Sequence, residues 1–273
     1  MLSLSVDGAT LAYDVTDLTP PWLPDPDTII LHHSVGATSG IWIGWLPVLA
    51  TRFKVVRFDF RSAGASSAAG NSFDWTLESF ASDVLAIADK VGARRFHLAG
   101  DSFGGILTLY IAGKHSSRLI SATAISAAHR DAGHSATADK WKELLSSENG
   151  VKAWSQSLMQ SRFYEGTVPK NAFEWFKSVQ EQTRIEIPRR ISQALIGFDL
   201  SADLRDLEMP VLLMAPDASP YVSTQLVSEL HALIPDSELH IFSHARHGLA
   251  FTHAKECASI LSDFAIRATA KLT

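Results

Sequence analysis

Apolar positions in this chain follow two rhythms. Short, nearly continuous apolar runs recur at Thr28–His32, Phe53–Phe58, Arg95–Ala99, Leu119–Ser126, Pro210–Met214 and Glu238–Phe242, and each predicts a buried strand. Between them lie segments with apolar residues every third or fourth position. Residues 75–91 are the clearest (Leu77, Phe80, Val84, Leu85, Ile87, Ala88, Val91), with Gly92 as a natural stop. Further helices are predicted over Ile41–Thr51, from Ile106 to Ala112 and beyond, over Thr224–Leu233, and from about Thr252 to Lys271. The N-terminal residues alternate over Leu2–Val6 and Thr10–Val15 around Asp7-Gly8, a hairpin pattern. Leu18–Pro26 is proline-rich and reads as a rigid loop. Strands alternating with helices imply an α/β protein whose sheet is mostly parallel, twisted and covered by helices on both faces.

The strand rhythm stops between about 131 and 203. Helix-like stretches replace it at Trp141–Leu145, Val151–Gln160, Asn171–Arg184 and Arg189–Phe198. The expected organisation is therefore a core of residues 1–131 and 204–273 with a helical cap insertion over 132–203. Trp141, Trp154, Phe163, Trp175 and Phe176 offer the cap an apolar lining. At helical spacing most of them should pack the cap onto the core, leaving one or two for substrate.

Composition narrows the function. The 273 residues suffice for a large core, and a net charge of −5 without a basic block argues against nucleic acid. One cysteine, Cys257, forbids an intrachain disulfide. The N-terminal residues show neither a basic n-region nor a long apolar h-region, and no run reaches membrane-spanning length, so a cytoplasmic protein without a membrane partner is expected. There is no H-E-x-x-H, paired-cysteine, Walker A or G-x-G-x-x-G pattern, so neither metal nor cofactor is expected. A homo-oligomer is left open.

The chemistry concentrates at Gly100-Asp101-Ser102-Phe103-Gly104-Gly105. A G-x-S-x-G between a buried strand and a helix is the context of a nucleophile elbow. The glycines leave room for a sharp turn, and Ser102 is lifted clear of the sheet. The Phe103 amide, at a helix N-terminus, is placed to stabilise an oxyanion. Among eleven histidines, His247 follows the last strand, where the base belongs in the order Ser…Asp…His; His244 is its nearest competitor. Asp217 is the carboxylate after the strand ending at Met214, and Asp131, after the strand that follows the elbow helix, is the alternative acid. The turn after His32 offers the Val35 amide as the second oxyanion donor, with Ser34 beside it. His33 is either a substrate-facing group or a strand-end histidine. Arg61 and Arg130 also fall at strand ends, where one of them would hold a substrate carboxylate or, more often, brace loops.

Together these residues resemble the α/β-hydrolase superfamily over almost the whole chain. Asp59-Phe-Arg-Ser-Ala-Gly-Ala-Ser66 is similar to its D-x-R-G-x-G-x-S segment, with Ser62 in place of a glycine. His33-Ser-Val-Gly36 stands where many members have H-G-x-G. His33–Thr38 followed by Trp42, Asp139-Lys-Trp141, Trp175-Phe176 and Asp199–Leu204 resemble the 3-oxoadipate enol-lactone hydrolase group. The resemblance implies Ser102 as nucleophile, His247 as base, and Val35 and Phe103 as oxyanion hole. In that family the acid sits in G-x-x-D; counted without a gap it falls on Ala218 or Ser219, so it is displaced, supplied by Asp131, or missing. Asp101 beside the nucleophile is a second departure.

The activity these features suggest is hydrolysis of a lactone or small carboxylic ester, a small-molecule substrate, through an acyl-enzyme. A carbon–carbon bond hydrolase of a dienoic ring-fission product, a cofactor-free dioxygenase and a ligand-binding sensor are the other readings.

Overall fold

The computed structural model describes every residue except 24, 132 and 273. One position of the expected proline-rich loop and the expected first residue of the cap therefore lie outside the described residues. Among the described residues, eight strands form one sheet: β1 (Leu2–Val6), β2 (Ala9–Thr16), β3 (Thr28–His32), β4 (Lys54–Asp59), β5 (Phe96–Asp101), β6 (Leu119–Ile125), β7 (Val211–Pro216) and β8 (Ser237–Phe242). Their order is β1-β2-β4-β3-β5-β6-β7-β8. The β1–β2 hairpin and the β2–β4 pair are antiparallel, and every other pair is parallel.

Central strands are buried on both faces, which is why they read as continuous apolar runs. Alternate residues serve opposite layers. Ile30, Val56, Leu98, Ala122 and Leu213 face one core; Ile29, Val55, Ala99, Ile125 and Leu212 face the other. Helices α2 (Leu77–Lys90), α3 (Phe103–Lys114) and α9 (Thr224–Leu233) cover the first layer, and α11 (Ala254–Ala270) covers the second together with α1 (Leu46–Leu49). The Thr76 hydroxyl caps α2 by accepting the Ser79 amide.

Two predicted helices are broken. The one expected over Ile41–Thr51 is a 3-10 turn over Ser39–Trp45 followed by the single turn α1. Gly40, Gly44 and Pro47 explain this, because they disfavour a continuous α-helix. The last helix divides at His253 into α10 (Leu249–Thr252) and α11.

Between β6 and β7 the chain forms α4 (His134–Ser146), α5 (Gly150–Arg162), α6 (Lys170–Glu181), α7 (Glu186–Ala194) and the short α8 (Ser201–Leu204). Helix α4 packs on α5 and α7, and α5 on α6. No helix among the described residues is long and apolar enough to cross a membrane. Strand β3 is central to the site: the chain leaves it toward β4 on one side and returns as β5 on the other. Such a reversal opens a crevice beyond the strand ends. The β3 loop and the elbow after β5 meet there, with His32 opposite Gly100 in register.

Candidate active site

The elbow is dictated by contact distances. A Cβ on Gly100 would lie 2.0 Å from the Gly104 carbonyl oxygen, and one on Gly104 would lie 2.3 Å from that of His32. With backbone packed so closely, the chain turns at Ser102 with φ 56° and ψ −113°, a conformation L-residues rarely adopt. Ser102 Oγ lies 2.8 Å from His247 Nε2, so the structure brings these two expected residues together. Both line a cavity of about 270 Å³ with Val35 and Phe103. Phe103 opens α3, so its amide is free of intrahelical bonding. The Val35 amide has no acceptor among the described residues. The opposite wall comes from the helical segment, with Trp141, Leu158, Arg162, Ile191 and Leu195.

The expected acids stand elsewhere. Asp217 accepts the backbone N–H groups of His244 (2.9 Å) and Ala245 (3.0 Å), which pins the turn before His247 and lowers the carboxyl's pKa. Asp131 accepts from Gly133, His134 and Gly197 (2.9, 2.8 and 2.7 Å), chiefly the last of which draws its pKa down to about 2. It organises the start of α4 and not the imidazole. The atom on His247 Nδ1 is Ser219 Oγ, at 3.0 Å. Counting the acid's register onto Ala218 or Ser219 was the sole hint of this in the sequence.

His247 is buried, and burial, reinforced by the Arg162 charge, lowers its pKa to about 3. The imidazole is therefore neutral at rest. Asp101 is buried too. Desolvation raises its pKa to about 6 against the pull of Arg162 and Ser34, and its Oδ1 has no partner among the described residues.

Arg162 was not anticipated. Its guanidinium is buried at the end of α5, donating to Gln180 Oε1 (3.1 Å), Ser34 Oγ (3.3 Å) and the Val35 carbonyl (2.6 Å). The same helix end accepts backbone N–H bonds from His247, through Ser161, and from Gly248, through Arg162. One helix terminus thus ties together the loop of Ser34 and Val35 and the loop of His247 and Gly248.

The other candidates have structural partners. Arg61 grips Asp83 with Nε and Nη2 (2.9 and 2.6 Å), donates to the Asp7 carbonyl and covers Phe73, away from the cavity. Arg130 pairs with Glu229 at the surface (2.7 Å). His33 is buried against Phe60; its Nε2 accepts the Phe60 amide and its Nδ1 donates to the Ser34 carbonyl, so it is the strand-end histidine of the two expected readings. Ser34 serves Arg162 and Asp101. Of the three tryptophans expected in the cap, Trp141 walls the cavity, Trp154 is fully buried behind it, edge-on to Trp141 and close to Gly36, and Trp175 stacks on Phe251 outside it. No group of metal-ligating side chains occurs among the described residues.

An elbow serine, a histidine after the last strand and a crevice at the sheet's switch point define an α/β-hydrolase-type site. Residues 27–254 match the model of the alpha/beta hydrolase fold family, and the chain belongs to that family. A relative named "Putative carbamate hydrolase RutD" from Stutzerimonas stutzeri is 26% identical over 246 residues, 88% of this chain and 92% of its own. In structure the chain is similar to a hydrolase from Pseudomonas aeruginosa PA01 (TM-score 0.86, 23% identity, 96% of this chain and 97% of that one). It is also similar to the enol-lactonase from Burkholderia xenovorans LB400 (TM-score 0.85, 20% identity, 96% and 99%). The chain is thus a hydrolase of this fold.

Proposed function

We propose that the protein cleaves a lactone or small carboxylic ester through an acyl-enzyme on Ser102. The carrying observation is the 2.8 Å contact between Ser102 Oγ and His247 Nε2 inside a cavity shared with both oxyanion amides. Ser102 attacks the acyl carbon and passes its proton to Nε2 of His247. The Val35 and Phe103 amides hold the oxygen as it becomes negative. The imidazolium returns the proton to the departing alcohol, and water attacks the acyl-enzyme by the same route in reverse. For a lactone, the departing alcohol stays tethered to the acyl group, and hydrolysis of the acyl-enzyme releases a single ring-opened acid. The segment over residues 132–203 acts as the cap, and the apolar side chains it lends to the cavity favour a compact, largely apolar acyl group.

Intact-mass spectrometry with a fluorophosphonate checks the nucleophile. The expected result is one adduct per chain, lost in Ser102→Ala. An unlabelled wild type, or an adduct that survives the substitution, rules the reading out.

A further inference from the structure

Ser219 occupies the place at His247 Nδ1 where a triad would hold a carboxylate, and its partners are fully defined. Its Oγ receives the backbone N–H groups of Tyr221 and Val222, both at 3.2 Å, and lies 3.0 Å from Nδ1. A hydroxyl has two lone pairs and one proton. Backbone N–H groups only donate, so these two occupy the lone pairs. The proton remains, and Nδ1 is the other polar atom within reach. We propose that Ser219 is a positioning residue that donates to Nδ1 and holds resting His247 as the tautomer protonated on Nε2.

In that tautomer Nε2–H donates to Ser102 Oγ, and the base faces away from the nucleophile. Activation requires the imidazole proton to move from Nε2 to Nδ1. The Ser219 hydroxyl must then turn from donor to acceptor, although two N–H groups already fill its acceptor sites. A carboxylate has no proton and would favour Nδ1–H outright. Asp217 does not take this place: its oxygens hold the amides of His244 and Ala245, and Ser219 Oγ lies on Nδ1. The frame is fixed as well: the Asp217 amide donates to the Phe242 carbonyl and the Ala218 amide to that of Ala245, locking the two loops together. The site is therefore a serine–histidine pair with a brake. The brake concerns catalysis only if the reading of Ser102 as nucleophile holds, whereas the tautomer stands independently of it.

Long-range proton–nitrogen correlation spectra of full-length protein labelled with 15N-histidine test the idea, with His247→Gln assigning the signals. At neutral pH, His247 should show an unprotonated Nδ1 and a protonated Nε2. A protonated Nδ1 in the wild type overturns the proposal, whether or not any variant folds. Ser219→Asp should move the proton to Nδ1 and raise kcat on p-nitrophenyl acetate by about tenfold or more, a fraction of the roughly 10⁴-fold cost of a wrong tautomer in a serine-protease triad. A folded Ser219→Asp protein whose proton moves without a gain in kcat overturns the brake. If neither protein turns over ester or accepts the fluorophosphonate, the nucleophile reading has failed, and the spectrum still decides the tautomer.

Discussion

At the residue scale, the site depends on side chains that are missing as much as on those present. Gly104 sits where a methyl group would press on the His32 carbonyl oxygen, 2.3 Å away and unable to yield without moving β3. Gly104→Ala should cost about 3 kcal/mol, the upper end of overpacking penalties, read as a lowered urea midpoint at unchanged slope. Ser62 makes the complementary point. It adopts φ 71° where the family pattern has glycine, and its hydroxyl offsets part of the strain by accepting the Ala69 amide at 2.8 Å. Glycines around a serine, and a histidine after the last strand, leave a pattern that sequence can carry. Ser219 leaves only a register count that falls on Ala218 or Ser219, because a loop serine is unremarkable until an imidazole is found against it. Asp217 misled for a related reason: a carboxylate near the right strand end is equally suited to hold a turn, and here two backbone amides claimed it. A hydroxyl in place of a carboxylate also changes the energetics. On the proposed reading the imidazole becomes an imidazolium, which a carboxylate would meet with the opposite charge and a hydroxyl does not, so that cation is less well supported here.

At the element scale, the C-terminal end of α5 matters most. The sequence predicted a helix ending near Gln160, and the last turn adds Ser161 and Arg162, the residues that reach both site loops. Periodicity reveals the helix but not what its final turn touches, so the sequence marks Arg61 and Arg130, at strand ends, and leaves Arg162 unmarked. Arg162→Met keeps an unbranched apolar stem and removes the bonds to Gln180, Ser34 and Val35. It should lower kcat by about 10²-fold, the scale of a small misplacement of catalytic groups, with little change in circular dichroism. Because the Arg162 charge depresses the His247 pKa, the same substitution should raise that pKa, seen by NMR titration of the ring.

At the scale of the whole molecule, buried histidines govern the response to acid. His32 and His247 are both held neutral, with pKa values lowered to about 3, mainly by desolvation. Below the ordinary histidine pKa of about 6.5, the unfolded chain binds protons that the folded chain refuses, so stability is full above that value and is lost as pH falls toward 3. Asp101, raised to about 6, acts with the opposite sign: its folded form binds the proton more readily, offsetting part of the loss between about 6 and 4. Two histidines outweigh one aspartate. Urea midpoints should therefore fall steadily from pH 6.5 to 4, and a flat profile would contradict the neutral burial of these rings. The α/β class and its layered sheet were legible because double-sided burial writes itself as apolar runs. The sheet's reversal around β3 was not, since strand order depends on pairings between distant segments.

The 145 residues that separate Ser102 from His247 bear on how the molecule comes into being. During synthesis the elbow emerges with its glycines in place, but His247 follows only after the helices of residues 134–194 and three further strands. Pairings of such long range form late and slowly. On the proposed reading, a nascent or partly folded chain carries an ordinary, unreactive serine, and ester hydrolysis would report closure of the whole sheet, whereas helix content would report only its parts.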